Sequence, residues 1–143
     1  MSNEDRKWYR ASLRLMGDSL PIDEIEAKIE VKSRSSIKKG ELFKTEQLST
    51  NVWCAEYLTK NDVPLETQIE LWLEKLESKK EVLKEILSVP NAEGELFLGF
   101  SSENGQGGAY FTPELLRRVA DLGLALSLDL YPPSDFEESA NVV

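Results

Sequence analysis

Six glutamates between residues 64 and 88 have the spacing that most strongly suggests a functional surface. On a helical wheel of 100° per residue, counted from the first of them, all six fall within a band of about 100°. We call this set the glutamate band, and its members are Glu66, Glu70, Glu74, Glu77, Glu81 and Glu85. Like charges at i, i+4 spacing destabilise a helix slightly. The band therefore indicates either a binding surface for a basic partner or an ordinary solvated helix face, and both interpretations stay open.

The rest of the composition excludes several kinds of chemistry. The chain of 143 residues has no histidine and one cysteine, Cys54. A Ser-His-Asp triad, a Cys-His dyad and a usual zinc site therefore cannot form, and we predict no enzyme, no metal and no cofactor. With 17 Lys and Arg against 26 Asp and Glu, the formal charge is −9, which argues against a nucleic-acid partner.

Two further segments and one cysteine are candidates for a functional role, but the sequence favours a structural role for each of them. The glycine-rich loop 101–108 includes Asn104 and Gln106, and no Lys-Ser/Thr pair follows it, so we interpret it as a hairpin loop that could touch a partner rather than as a phosphate-binding loop. The basic segment 32–44 is predicted to be a solvated surface connection. Cys54 lies within a predicted strand, where a small core residue is expected.

The elements that would position these residues follow from hydrophobic periodicity and from the signals that start and stop helices. Alternation of period two predicts strands, and spacing of i, i+3, i+4 predicts helices, the longest of which we expect to bend near Ser78. Thr112 is placed as an N-cap, and Gly123 is placed to end the last helix. The predicted strands are 7–16, 51–58, 95–100, 109–111 and 124–131, and the predicted helices are 21–30, 64–88 and the segment from 113 to the stop at 123.

This order, β-α-β-α-β-β-α-β, predicts an α+β fold of two layers. Because most strands are apolar on one side only, we expect a mostly antiparallel sheet with about three helices on one face. Residues 1–131 are predicted to form one domain, and 132–143 an acidic, disordered tail. The sequence shows neither a membrane-spanning segment nor a secretory signal, and we expect a cytoplasmic protein without a membrane partner.

Several of these segments resemble a known family. The chain has the form Y-x-x-x-L-x-L-x-G-D over residues 9–18, a basic stretch ending at Gly40, a strand with Val52-Trp53, and Leu-Gly-Leu-x-Leu-x-Leu-Asp-Leu-Tyr over 122–131. Over residues 8–131 it is similar to the bacterial domain-of-unknown-function family 4279. The resemblance implies no assigned activity, although some small proteins of this kind resemble immunity proteins of bacterial toxin systems, including contact-dependent inhibition.

These observations lead to one expectation and one alternative. We expect an immunity protein that binds a cognate toxin domain, a basic nuclease, and neutralises it by stoichiometric occlusion. The glutamate band, Asn104 and Gln106 are the expected contacts, because an acidic surface can imitate the phosphates that such a nuclease binds. The alternative is a small-ligand-binding or housekeeping domain that uses a concave face of the sheet.

Overall fold

The computed structural model describes residues 7–56, 60 and 62–131. In these residues, strands and helices follow the order β1-α1-β2-β3-β4-β5-α2-α3-β6-α4-β7. The strands are β1 Lys7–Gly17, β2 Ser35–Ile37, β3 Leu42–Phe43, β4 Glu46–Gln47, β5 Asn51–Glu56, β6 Glu93–Ser102 and β7 Leu124–Tyr131. The helices are α1 Ile25–Ile29, α2 Leu65–Glu77, α3 Lys80–Ile86 and α4 Pro113–Asp121.

The main sheet has five strands in the order β2-β5-β1-β6-β7, and β3 and β4 form a separate hairpin. β1 is antiparallel to both of its neighbours, with Leu13 opposite Ala55 on β5 and opposite Leu96 on β6. Of the described strands, only β7 runs parallel to its neighbour, β6. The connection between them passes through α4, as a parallel pair requires. The predicted α+β fold with a mostly antiparallel sheet is confirmed.

Side-chain alternation divides the sheet into two faces. The odd residues of β1, such as Leu13 and Leu15, are buried under the helices, and we call this side the core face. Trp53 of β5 and Trp72 of α2, each 1% exposed, are among the largest side chains in this core. The even residues of β1, from Trp8 to Met16, lie on the opposite side, which we call the open face.

Two side chains of α2 complete the hydrogen bonding of β1 where β5 ends. In the described residues β5 pairs with β1 only as far as Ser12, so the backbone of Tyr9 and Ala11 lies beyond this ladder. Gln68 is 1% exposed; its Oε1 accepts from the Ala11 N–H at 2.8 Å, and its Nε2 donates to the Tyr9 carbonyl at 3.1 Å. Trp72 Nε1 donates to the Ala11 carbonyl at 2.9 Å. These bonds satisfy backbone groups that would otherwise be costly to bury.

The predicted helices are correct in place but not in all their boundaries. The segment 64–88 is two helices, since the Ser78 hydroxyl donates to the Lys75 carbonyl and the Lys79 N–H bonds to Leu76 O instead of continuing the i, i+4 pattern. The bend expected near Ser78 is therefore a break. The helix predicted over residues 21–30 is shorter in the structure, where it is α1, Ile25–Ile29. The start and stop of α4 are as predicted: Thr112 Oγ1 accepts from the Leu115 N–H, and Gly123 follows the helix with φ +77°.

One prediction about the connections is wrong, and a second is correct only in part. Residues 109–111 form no strand, because the Tyr110 N–H donates to a Glu66 carboxylate oxygen on α2 rather than to a neighbouring strand. The partner of β6 on that side is β7 instead. The basic segment 32–44 lies at the surface as predicted, because all its residues are exposed or half-buried, but it contains the strands β2 and β3 rather than an irregular connection. Residues 57 and 58 of the predicted second strand and the predicted tail 132–143 lie outside the described residues.

Candidate functional site

The structure divides the glutamate band into two rows. Glu66, Glu70 and Glu77 point toward α4 and the loop before it, and each bonds a group there. We call these three the inner row. Glu74, Glu81 and Glu85 are exposed, and none of them forms an ion pair with another of the described residues. We call them the outer row, and the break between α2 and α3 lies within it.

A single arginine of α4 neutralises much of the inner row. Arg118 donates Nε and Nη2 to the two carboxylate oxygens of Glu77, both at 2.8 Å. Its Nη1 donates to both oxygens of Glu70, at 2.9 and 2.5 Å. The hydrogen bond from Arg118 holds the pKa of the Glu77 carboxyl below its usual value. The fork geometry suits this pairing, so the like-charge spacing at these positions has a structural role within the chain.

Glu66 also has an internal partner. Its Oε2 accepts from the Tyr110 N–H at 2.9 Å, which attaches α2 to the segment leading into α4. Among the six glutamates of the band, the outer row is therefore the part whose carboxylates have no hydrogen-bond or ion-pair partner among the described residues.

The two predicted contact residues of the glycine-rich loop have different surroundings. Asn104 Oδ1 accepts from the Ser102 hydroxyl and from the Gln106 N–H, both at 2.8 Å. This side chain therefore stabilises the conformation of the loop through hydrogen bonds within it. The Gln106 side chain is exposed. The loop and the outer row are on different elements, and the structure records no contact that joins them.

The open face contains a group of side chains that the sequence did not single out. The guanidinium of Arg14 stacks on the ring of Phe97, 4.0 Å from its centroid. The same guanidinium donates through Nε to Glu95 Oε2 at 2.7 Å, with Nη2 at 2.5 Å from that oxygen. Ion pairing and stacking together hold the arginine in one orientation on the sheet.

A second carboxylate on the open face joins two arginines. Glu56 of β5 accepts from Arg34 Nη1 at 2.6 Å, and Arg10 Nη1 lies 3.6 Å from its other oxygen. Around these residues is a depression of about 560 Å³. Four cationic side chains and one carboxylate line it: Arg10, Arg14, Arg34, Lys44 and Glu56. Although the chain has a charge of −9, this depression is lined mainly by positive charge.

Cys54 belongs to the open face, which corrects its prediction as a core residue. It lies opposite Arg14 in the register of β1 and β5 and is half-buried. Strand alternation explains the difference, since Trp53 and Ala55 occupy the core positions on either side of it. Burial raises the pKa of the Cys54 thiol, which does not favour the thiolate that a nucleophile requires.

The sequence contained part of the signal for the open face. Trp8, Arg10, Ser12 and Arg14 alternate with the apolar residues of β1, so their common side could be predicted. Their partners could not, because Phe97 is more than 80 residues from Arg14 and only the register of β1 with β6 brings the two strands together.

The part of the chain that the structure describes has neither a metal-binding cluster nor a membrane-spanning helix. There, no three Cys, Asp or Glu side chains come together in a group able to hold a metal ion. None of the described helices is both long enough and apolar enough to span a bilayer.

Comparison with known proteins gives a family but no activity. No curated protein and no solved structure matches the chain significantly. A family model described as "Domain of unknown function (DUF4279)" matches residues 6–133. The match includes β1, the open face, the glutamate band and β7, which is most of the 143 residues. The chain therefore belongs to the DUF4279 family.

Proposed function

We propose that this protein is an immunity protein that binds a basic toxin domain, a nuclease, and neutralises it by stoichiometric occlusion. The observation that carries the proposal is the outer row, Glu74, Glu81 and Glu85, which is exposed on two helices and has no cationic partner among the described residues. An exposed row of one sign attracts a surface of the opposite sign and accelerates association.

The outer row is supported by a rigid base. On the side of α2 opposite Glu74, Ile69 and Leu76 are fully buried, and Gln68 bonds the backbone of β1. On α3, Leu83 and Ile86 enter the same core. Carboxylates on packed helices need little reordering to meet a partner, which favours tight binding.

The inner row supports the same interpretation in a different way. Arg118 offsets the repulsion that Glu70 and Glu77 would otherwise exert on each other and on α2. Among the described residues, Glu74, Glu81 and Glu85 form no such ion pair, although Lys80 and Lys84 lie on the same helix as the last two. The helix pair thus retains negative charge where a partner can reach it.

The test is to co-express the chain with the product of its neighbouring gene, isolate the complex and measure its dissociation constant. The substitutions Glu74→Lys, Glu81→Lys and Glu85→Lys together should weaken binding by at least about 100-fold in low salt. A matched control reverses three exposed glutamates elsewhere, Glu24, Glu46 and Glu93, and gives the same net charge.

Two results would contradict the proposal. If both triple variants weaken binding equally, only net charge matters, and the outer row has no specific role. If the neighbouring product neither binds nor is toxic when expressed alone, the immunity function itself is wrong.

A small-ligand-binding domain is the second candidate, and the depression on the open face favours it. The stacked Arg14 and the other cations of this depression would suit a small anionic ligand with a flat ring. Thermal-shift measurements with nucleotides and aromatic acids test this candidate. Stabilisation that Arg14→Met abolishes, while Lys28→Met leaves it intact, would support the candidate. No stabilisation by any of these compounds would count against it.

A further inference from the structure

We propose that two copies of this chain pair through their β7 strands and form one continuous sheet. β7 is the last strand on its side of the five-stranded sheet, and none of the described residues pairs with its outer edge. Two of its leucines are unusually exposed, Leu128 at 58% and Leu130 at 64%. Pairing of two such edges would join the two sheets into one of ten strands. This inference does not depend on the immunity function.

The edge of β7 has few of the features that usually prevent strand addition, since Asp129 is the one charged residue of the strand. Natural edges are protected by short length, lysine, proline or a bulge. β7 is eight residues long and contains no Lys, Arg or Pro, and its register with β6 runs unbroken from Leu124 to Tyr131. The opposite edge of the sheet, β2, is only three residues long. Of the two edges, β7 is the one able to support an extended ladder.

The side chains of β7 are complementary to a second copy of the same strand. Consider two copies of β7 paired antiparallel, with the twofold axis at Leu128. The numbers of any two residues that face each other, one from each copy, then add up to 256. Leu128 then faces its own copy, and Leu126 faces Leu130 of the partner. On the other side, Ser127 faces Asp129, so the only charged residue of the strand meets a hydroxyl and not another carboxylate.

Ser127 adds an independent observation. Its Oγ is buried and has no hydrogen-bond partner among the described residues. Buried hydroxyls usually have a partner, and an orphan group needs an explanation. In the antiparallel pair, a change of side-chain rotamer would let this hydroxyl donate to Asp129 of the second copy.

A second copy of the chain fits the outer edge of β7 better than an unrelated strand does. The leucines at 126, 128 and 130 lie on the core-face side of both sheets, so a twofold axis places them next to each other and removes them from water. Each copy has a charge of −9, and the resulting repulsion is screened beyond about 8 Å at physiological ionic strength.

Disulfide trapping tests the pairing and its register at once. In a Cys54→Ser background, Leu128→Cys should give a covalent dimer on mild oxidation, since facing Cβ atoms are about 4.5–5.5 Å apart. Ala125→Cys is the matched control, because its two copies would be six positions apart, about 20 Å. Equal trapping of both variants, or trapping of neither, would overturn the proposed pairing.

Sedimentation velocity at 0.15 M salt, over a range of protein concentrations up to the millimolar range, measures the association without cross-linking. The unmodified chain should form dimers. Leu128→Lys should raise the dimer dissociation constant by at least about 100-fold, because two lysines would face each other at the axis. Leu116→Lys, at an exposed leucine of α4, should leave it unchanged. A chain that remains monomeric throughout, or a dimer that Leu128→Lys does not weaken, overturns the proposal.

Discussion

Replacing Gln68 by leucine should remove a buried connection between α2 and the sheet. The Gln68 side chain makes three hydrogen bonds: it accepts from the Ala11 N–H at 2.8 Å, and it donates to Tyr9 O at 3.1 Å and to Val63 O at 2.9 Å. Leucine has a similar size but no polar atom. The substitution therefore leaves one donor and two acceptors of the backbone without their partner.

The magnitude follows from the surroundings of these groups. The bond to the Ala11 N–H is buried, and its loss should cost about 2 kcal/mol. The two hydrogen bonds to the carbonyls are partly buried, and the loss of each should cost about 1 kcal/mol. Burial of the apolar leucine side chain should stabilise the fold by about 1 kcal/mol, which offsets part of this loss. The net loss of about 3 kcal/mol is a large part of the 5–15 kcal/mol that typically stabilises a domain.

Urea unfolding followed by tryptophan fluorescence measures this loss, because Trp53 and Trp72 are buried in the native core. With a slope near 2 kcal/mol per molar urea, the midpoint should fall by about 1.5 M. Thr67→Leu, at the exposed neighbouring position of α2, is the matched control and should change stability by less than about 0.5 kcal/mol.

Hydrogen exchange then locates the effect. In the Gln68→Leu variant, the Ala11 amide should lose protection relative to the amides of Leu13 and Leu15, which lie in the part of β1 that pairs with β5. If Gln68→Leu behaves like Thr67→Leu, or if Ala11 keeps its relative protection, Gln68 does not take the place of a strand partner.

A glutamate at the same position gives a pH-dependent version of this test. Gln68→Glu keeps an acceptor for the Ala11 N–H but places a carboxylate against the carbonyls of Tyr9 and Val63. Burial and these carbonyls would raise the pKa of the new carboxyl above its value in the unfolded chain. The variant should therefore be more stable relative to wild type near pH 4 than at pH 7. Constant relative stability across this range would contradict the reasoning.

The remaining predictions concern α4 and the open face. Arg118→Met should cost about 1 kcal/mol at pH 7, since the network is partly exposed. Because the pKa of Glu77 is lowered in the fold, this loss should shrink as the pH falls below the ordinary pKa of a glutamate, and a loss that is the same in acid as at pH 7 would contradict the ion-pair explanation. Gly99→Ala should displace Trp8, since a Cβ there would lie 2.8 Å from the indole ring, and should change the fluorescence; an unchanged spectrum would refute this. Thr112→Ala should cost about 1 kcal/mol in thermal unfolding, and Thr112→Ser much less; equal losses would contradict a capping role.

Local patterns in the sequence predicted most of the elements. The alternation in β1 and in β7 gave both strands to within a residue, and Thr112 and Gly123 gave the limits of α4, because strand period and helix capping depend only on neighbouring residues. The family resemblance also came from the sequence and is confirmed by the family match. The roles proposed for the glutamate band and the glycine-rich loop remain predictions.

The tertiary structure decided which of these residues meet. That β6 pairs in parallel with β7, and not with a strand at 109–111, depends on α4 crossing between them. That Glu70 and Glu77 pair with Arg118, more than 40 residues away, depends on the packing of α4 beside α2. That Arg14 stacks on Phe97 depends on the register of β1 and β6. The sequence by itself thus determined the periodic elements and the total charge, whereas the contacts between distant elements determined which charges are offset and which remain exposed.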